Sequence, residues 1–266
     1  MSEINTTSLK SQSGFIGYFD ILGYQTFLEN NSPEVAAETV LSTLLKLDQD
    51  TPSKLLESMA LFYENEDRAT LDIYLKDIKW LVFSDTILMT LGTDEIPDDK
   101  IEIRWLVFLL QCSYLWRKMF DFGLPLRGAI TRGSFVVQGN CFAGKPIVNA
   151  HNLASGLNFA GAVISPELSD WSKKIMGQAP YAALFHQPYL VPCKEKDPCM
   201  EEILNVAATY SHERKWDGDI WQLVHECFEK HKKTIGEGVP DKIENTGKLL
   251  QFLKTKYPWG FTGNAP

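Results

Sequence analysis

The chain has 266 residues, of which 44% are hydrophobic and 23% charged, and a formal net charge of −8. That length suits one large domain or a medium domain with an extension, and the composition excludes wholesale disorder, a collagen-like chain and a small disulfide scaffold. The acidic balance argues against a broad grip on DNA or RNA, yet leaves room for a small anion held by local arginines, amides or metal ions.

The apolar runs, such as Trp105 to Leu110, fall far short of the roughly 20 residues that a membrane span needs. Residues 1–14 lack the basic-then-apolar layout of a secretion signal. The five cysteines (Cys112, Cys141, Cys193, Cys199, Cys227) are odd in number and contain no C-x-x-C pair. A reduced, cytoplasmic protein is the expectation, with neither a membrane nor a nucleic acid as partner.

In chain order, a polar arm covers residues 1–13. Gly14 to Asp20 is an apolar strand that ends abruptly at an acid, and Ile21 to Gln25 turns into a short helix. Ser32 and Pro33 then suit the cap and first turn of a second helix, with Val35, Leu41, Leu44 and Leu45 at helical spacing. Residues 57–102 are acidic, with twelve Asp and Glu against four Lys and Arg. Within them, Ile73 to Phe83 and Thr86 to Leu91 are two β-rich runs joined by Ser84-Asp85, a hairpin with Asp85 at its tip.

Residues 100–122 form the strongest helix candidate, stopping at Gly123 ahead of Pro125. Its aromatic residues Trp105, Phe108, Tyr114, Trp116 and Phe120 fall at the spacing of core or dimer packing. A second hairpin is expected from Pro125 to Thr131 and Gly133 to Gln138. A helix runs from Gly144 to about Ala160, followed by a strand over Ala162 to Ser165. Short strands near 181–193 and three helical segments from 200 onward complete the chain. His212, His225 and His231 share no ligand spacing, so zinc is not expected.

This order predicts an α+β domain, a sheet with helices packed on one face, over residues 14–195, with a helical C-terminal extension over 196–266.

Asp20 and Asp85 carry the chemistry in this reading. Each closes an apolar strand at a turn, so neighbouring strands would bring both carboxylates to one sheet edge. Paired hard-oxygen ligands suit Mg²⁺ or Mn²⁺, which keep one or two carboxylates plus substrate phosphates. Gly23 permits close backbone approach just after Asp20, where amides entering a helix favour phosphate. A lone Asp in such a place is more often a turn former; two in matching contexts shift that balance.

Tyr18-Phe19-Asp20-Ile21-Leu22-Gly23-Tyr24 resembles the opening motif of the class III nucleotide cyclases. Phe83-Ser84-Asp85-Thr86 resembles their second metal motif. The strand from Leu126 through Arg127 and Ile130 to Gly133 is similar to their Arg-x-Gly-Ile-x-x-Gly strand, and Cys141 to Leu153 looks like their segment entering the next helix. The resemblance spans about residues 14–166, in order. It implies a homodimer with sites between subunits, in which Asp20, Asp85 and the Ile21 carbonyl bind two Mn²⁺ or Mg²⁺ ions. Amides of Gly23, Tyr24 and Gln25 would hold the β- and γ-phosphates of a nucleoside triphosphate, and Arg127 would pair with the triphosphate.

Three departures narrow the resemblance. The family's ribose-binding Asn falls on Val148, with Asn149 one residue away. Its transition-state Arg falls on Asn152, leaving Arg132 and Lys145 as candidate substitutes. The purine-reading positions fall on Leu81 and Cys141, and Leu81 has no group to read a base edge. These departures resemble the pyrimidine cyclases of bacterial Pycsar anti-phage systems. A cyclic UMP or cyclic CMP product acting on a separate effector is the implied function, with UTP favoured over CTP. A purine cyclase and a non-catalytic cyclase-like nucleotide-binding module are the alternatives.

Overall fold

The computed structural model describes residues 10–43, 68–176, 186–209, 216–233 and 238–262. Most of the polar arm, Leu44, Leu45, the first part of the acidic stretch, the beginning of the strands expected near 181, and His212 lie outside the described residues.

Eight strands form one sheet: β1 (Gln12–Ile21), β2 (Lys79–Phe83), β3 (Thr86–Gly92), β4 (Leu126–Gln138), β5 (Cys141–Ala143), β6 (Gly161–Ile164), β7 (His186–Val191) and β8 (Cys199–Leu204). Their order is β2-β3-β1-β4-β6-β8-β7, with β5 paired to β4 off that path. The pairings are antiparallel except β4 with β6, which are parallel. The described helices are α1 (Tyr24–Asn30), α2 (33–43), α3 (Arg68–Lys76), α4 (Asp98–Asp121), α5 (Lys145–Ser155), α6 (Pro166–Met176), α7 (Ile220–Glu229), α8 (Val239–Lys256) and α9 (Trp259–Thr262). The α+β class matches the sequence-based expectation, and the two sequence-predicted strands that flank Ser84-Asp85 do pair antiparallel, over Lys79–Phe83 and Thr86–Thr90.

The core forms between one sheet face and α4. On β1 the side chains alternate, so Phe15 and Phe19 face α4, where Phe15 packs on Trp105 and Phe108 at ring separations of 4.8 and 5.8 Å. Gly17 lies between them, and a Cβ there would meet the Phe19 ring at 3.0 Å and Cys112 Sγ at 3.3 Å, so its missing side chain lets the helix sit close. From Arg104 through Phe120 the helix is buried on all sides. The C-terminal elements cover the side away from the sheet. There the Arg117 guanidinium lies 4.0 Å from the Trp216 ring and donates to the carbonyls of Thr209 and Gly260.

Four local expectations are corrected. Ile73 lies in α3, not in a strand: Leu71, Tyr74, Leu75 and Ile78 form the buried stripe while Ile73 is exposed. The expected hairpin through Gly133 is one continuous strand, and the partner of its distal end is β5. The first element after residue 195 is strand β8, which joins the same sheet, not a helix. Finally, α5 packs against the second sheet face, where the His151 ring meets Tyr18 edge-on at 5.3 Å. Among the described residues no helix is long and apolar enough to cross a membrane.

Candidate metal and nucleotide site

The second face of the sheet is where polar chemistry gathers. Asp20 on β1 is directly paired with Thr86 on β3 and with Arg127 on β4, so these three side chains stand in a row across three adjacent strands. Asp85 joins them from the two-residue turn between β2 and β3, where Ser84 takes the left-handed conformation at φ 56°. The Ile21 amide donates to the Asp85 carbonyl at 2.9 Å, which fixes that turn beside the end of β1. Neighbouring strands thus do bring the two acids to one edge.

Asp20, Asp85, Thr86, Arg127 and Tyr18 line a cavity of about 300 Å³, closed on its other side by His151 and Ser155 of α5. Arg127 donates from Nη2 to Asp20 at 2.5 Å and from Nη1 to the Ser155 carbonyl at 3.3 Å. Its Nε is buried without an acceptor among the described residues. The Tyr18 hydroxyl and Thr86 Oγ1 share a hydrogen bond at 3.3 Å. His151 and Ser155 are functional candidates that the sequence reading missed. They carry no motif, and only the packing of α5 onto the sheet places them here.

The electrostatics are those of a crowded acidic pocket. Burial pushes the Asp20 carboxyl above the ordinary carboxylate range. Arg127 opposes that shift through its hydrogen bond and its charge, while Asp85 reinforces it. Tyr18 is raised chiefly by burial, with Asp20 and Asp85 adding to the effect, and Tyr24 is raised by burial and then by Asp85.

The donor set fits a hard divalent cation. Two carboxylates and a threonine hydroxyl offer oxygen, the His151 ring is the one neutral nitrogen donor in the lining, and the pocket holds no thiolate. Among the described residues no cluster of three or more His, Cys, Asp and Glu makes an all-protein cage. Two carboxylates open to a cavity are the arrangement that Mg²⁺ takes when substrate phosphates complete its shell.

The other predicted residues lie elsewhere in the single chain. Gly23 is exposed with φ 75° and caps α1, which begins with Tyr24 and Gln25; the Gln25 side chain turns away to Glu29 at 2.9 Å. Asn149 and Asn152 line a separate cavity of about 870 Å³ bounded by α5, β4, β6 and β8, together with Arg132 and Lys145. Leu81 packs on a small apolar cluster of Ile16, Leu88 and Phe135, and Cys141 is exposed on β5. The single chain therefore gathers the acids and Arg127, and does not bring Leu81, Cys141, Asn149 or Asn152 to them.

No protein-family model and no curated protein matches the chain. Among solved structures it is similar to the guanylate cyclase domain of RhGC from Catenaria anguillulae in complex with GTP, at 16% identity over 73% of this chain and 97% of that one, with a TM-score of 0.45. It is similar to the monomeric guanylyl cyclase domain of the RhoGC fusion protein from Blastocladiella emersonii, at 14% identity over 74% and 98% with a TM-score of 0.43. A bacterial light-regulated adenylyl cyclase gives 11% identity over 82% and 99%, with a TM-score of 0.40.

Proposed function

We propose that the chain is a metal-dependent nucleotidyl cyclase that converts a pyrimidine nucleoside triphosphate, UTP before CTP, to the 3′,5′-cyclic monophosphate and pyrophosphate. The observation that carries this reading is the convergence of Asp20, Asp85 and Arg127 on one cavity from three separate chain segments. The cyclase-like motifs in the sequence support the reaction type, and Leu81, an apolar residue at a base-reading position, supports a pyrimidine over a purine. A site that reads a purine by hydrogen bonds needs polar partners there.

In this mechanism Asp20 and Asp85, with the Ile21 carbonyl by resemblance, would hold Mn²⁺ or Mg²⁺. Such ions, when bound, lower the pKa of the ribose 3′-hydroxyl and neutralise charge at the reacting phosphorus. Arg127 leaves its Asp20 contact to pair with the triphosphate, and the amides of Gly23, Tyr24 and Gln25 take the β- and γ-phosphates. The 3′-hydroxyl loses its proton to solvent as its oxygen bonds to the α-phosphorus in line, and the bond from that phosphorus to the bridging oxygen breaks, releasing pyrophosphate. Two chains act together, with Leu81, Cys141, Asn149 and Asn152 contributing across the subunit boundary. The resemblance to anti-phage cyclases supports a signalling product that acts on a separate effector.

The test is incubation of purified protein with ATP, GTP, CTP and UTP separately, with Mn²⁺, and identification of products by mass spectrometry. A cyclic pyrimidine nucleotide that the Asp85→Ala variant does not make supports the proposal. A cyclic purine product overturns the base assignment. Nucleotide binding without turnover of any of the four overturns the enzyme reading in favour of a binding module.

A further inference from the structure

Residues 230–233, between α7 and α8, carry no recognised motif, yet they touch both chain segments that deliver the site. The first segment follows Asp20 through Gly23 into α1. The second follows the end of α4 through Gly123 and Pro125 to Arg127. These two segments are joined directly, because the Leu22 amide donates to the Pro125 carbonyl at 2.9 Å.

At the end of α4 three successive carbonyls face residues 230–233. Lys230 Nζ donates to the Asp121 carbonyl at 3.2 Å, His231 Nε2 lies 2.6 Å from the Phe122 carbonyl, and Lys233 Nζ donates to the Gly123 carbonyl at 2.5 Å. Cations here also meet the negative end of the helix. The Lys230 side chain covers Gly123 so closely that a Cβ there would fall 2.5 Å from its Cδ. On the α1 side, Asn31 Nδ2 donates to the His231 carbonyl at 2.7 Å and the His231 ring packs on Phe27 at 5.4 Å. Lys233 itself runs beneath Gly23, with its Cδ at 3.5 Å from where a Cβ would stand.

Two further features mark the segment as more than packing. His231 and Lys232 both adopt the left-handed conformation, at φ 64° and 58°, which costs a non-glycine residue free energy unless its surroundings hold it. Lys233 is 93% buried by exposure of 7%, and among the described residues no carboxylate pairs with it. Strained backbone and a buried ammonium held by a carbonyl, with no carboxylate partner among the described residues, are kept together at the junction beneath the candidate site.

We propose that His231 and Lys233 are positioning residues, a strap that fixes the turns after Asp20 and before Arg127 and so sets the geometry of the acid pocket. This inference rests on the reading of Asp20 and Asp85 as the metal site. It assigns a task to part of the C-terminal third, which no motif accounts for.

The experiment uses the full chain and two variants, Lys233→Met and His231→Phe, the second of which keeps the ring contact and loses the bond to Phe122. Hydrogen exchange is followed over residues 20–27, 86–92 and 121–127, and Mn²⁺ binding is measured by calorimetry with no nucleotide present. The expected result is faster exchange at 20–27 and 121–127 with 86–92 unchanged, and Mn²⁺ affinity lowered about tenfold in folded variants, because small displacements of ligand groups are costly. A merely structural strap would lower thermal stability and leave the affinity of the folded protein at the wild-type value. That result, or unchanged exchange at both turns, overturns the proposal. Wild-type protein that takes up no Mn²⁺ overturns the reading of the acid pair instead, and the exchange pattern alone then decides whether the strap holds the two turns.

Discussion

Arg127 and Asp20 occupy directly opposed positions on β4 and β1, and their side chains form an ion pair at 2.5 Å with only 13% and 17% of each exposed. The pair faces Asp85, so one guanidinium stands against two carboxylates in a pocket that burial has already made costly for charge. The same arrangement that suits a cation and a triphosphate is therefore an electrostatic burden on the free chain.

Replacing Arg127 exposes that burden. Burial raises the folded-state pKa of Asp20 above its unfolded value, so the folded state holds the Asp20 proton more tightly than the unfolded chain. The resulting stability is fully present below the unfolded value, near pH 4, and is lost as pH rises through the folded value. Arg127 restrains the shift, so Arg127→Met enlarges it. Urea unfolding should show the variant weakened by about 3 kcal/mol at pH 7, as for a broken buried pair, and by much less at pH 4. An equal deficit at both pH values would place the loss in packing and not in the ion pair.

Gly128, next to Arg127, offers a purely steric test. A Cβ there would lie 2.5 Å from the Phe19 ring and 2.7 Å from the Tyr18 carbonyl, with no flexible chain end to yield. Gly128→Ala should cost roughly 1–3 kcal/mol by overpacking. It should also push β1 away from β4 and so weaken Mn²⁺ binding. Unchanged stability in a thermal melt would mean that the two strands have slack at this point.

The rim of the pocket makes a prediction about assembly. Phe83, two residues before Asp85 and directly opposite Thr86 of the pocket, is 75% exposed, and Val148 on α5 is also exposed. An exposed aromatic ring paired across the sheet with a residue of the polar pocket suits the face of a second copy. Phe83→Asp should convert the protein to a monomer in light scattering and abolish turnover, while changing protomer stability by no more than about 0.5 kcal/mol. A dimer that survives this substitution would place the subunit contact elsewhere.

Much of the frame could be read from the sequence because its signals are local. The apolar run into Asp20, the polar break at Ser84-Asp85 and the long apolar helix ending at Gly123 each announce themselves within a few residues. The misread elements lacked such signals. Ile73-Tyr74-Leu75 is a short apolar run whose helical period shows only when Leu71 and Ile78 are counted with it. Gly133 reads as a turn, yet its backbone continues β4. Met200 is exposed and Glu202 bonds to His186, so β8 shows little apolar pattern of its own. His151, Ser155 and Lys233 reach the site region only through tertiary packing, which no spacing in the chain encodes.

Lys233 yields the last prediction, and its sign is opposite to that of Asp20. Burial lowers its ammonium to about 8 from the usual 10.5, with Lys230 adding to the effect and Cys227 opposing it. Below pH 8 both folded and unfolded states carry the proton, so the folded state bears the full cost of the buried charge. Between pH 8 and 10.5 the unfolded chain binds more protons than the folded one, and stability from this group rises with pH. The gain should reach roughly 1 kcal/mol by pH 9 and on the order of 3 kcal/mol at its limit. It should be absent from Lys233→Met. Subtracting the variant's denaturation curve from that of the wild type at pH 7, 8 and 9 isolates this group from the other lysines and tyrosines. A difference that stays flat across that range would mean that the ammonium is solvated or paired, and that the segment beneath Gly23 is held by its hydrogen bonds without the charge strain described above.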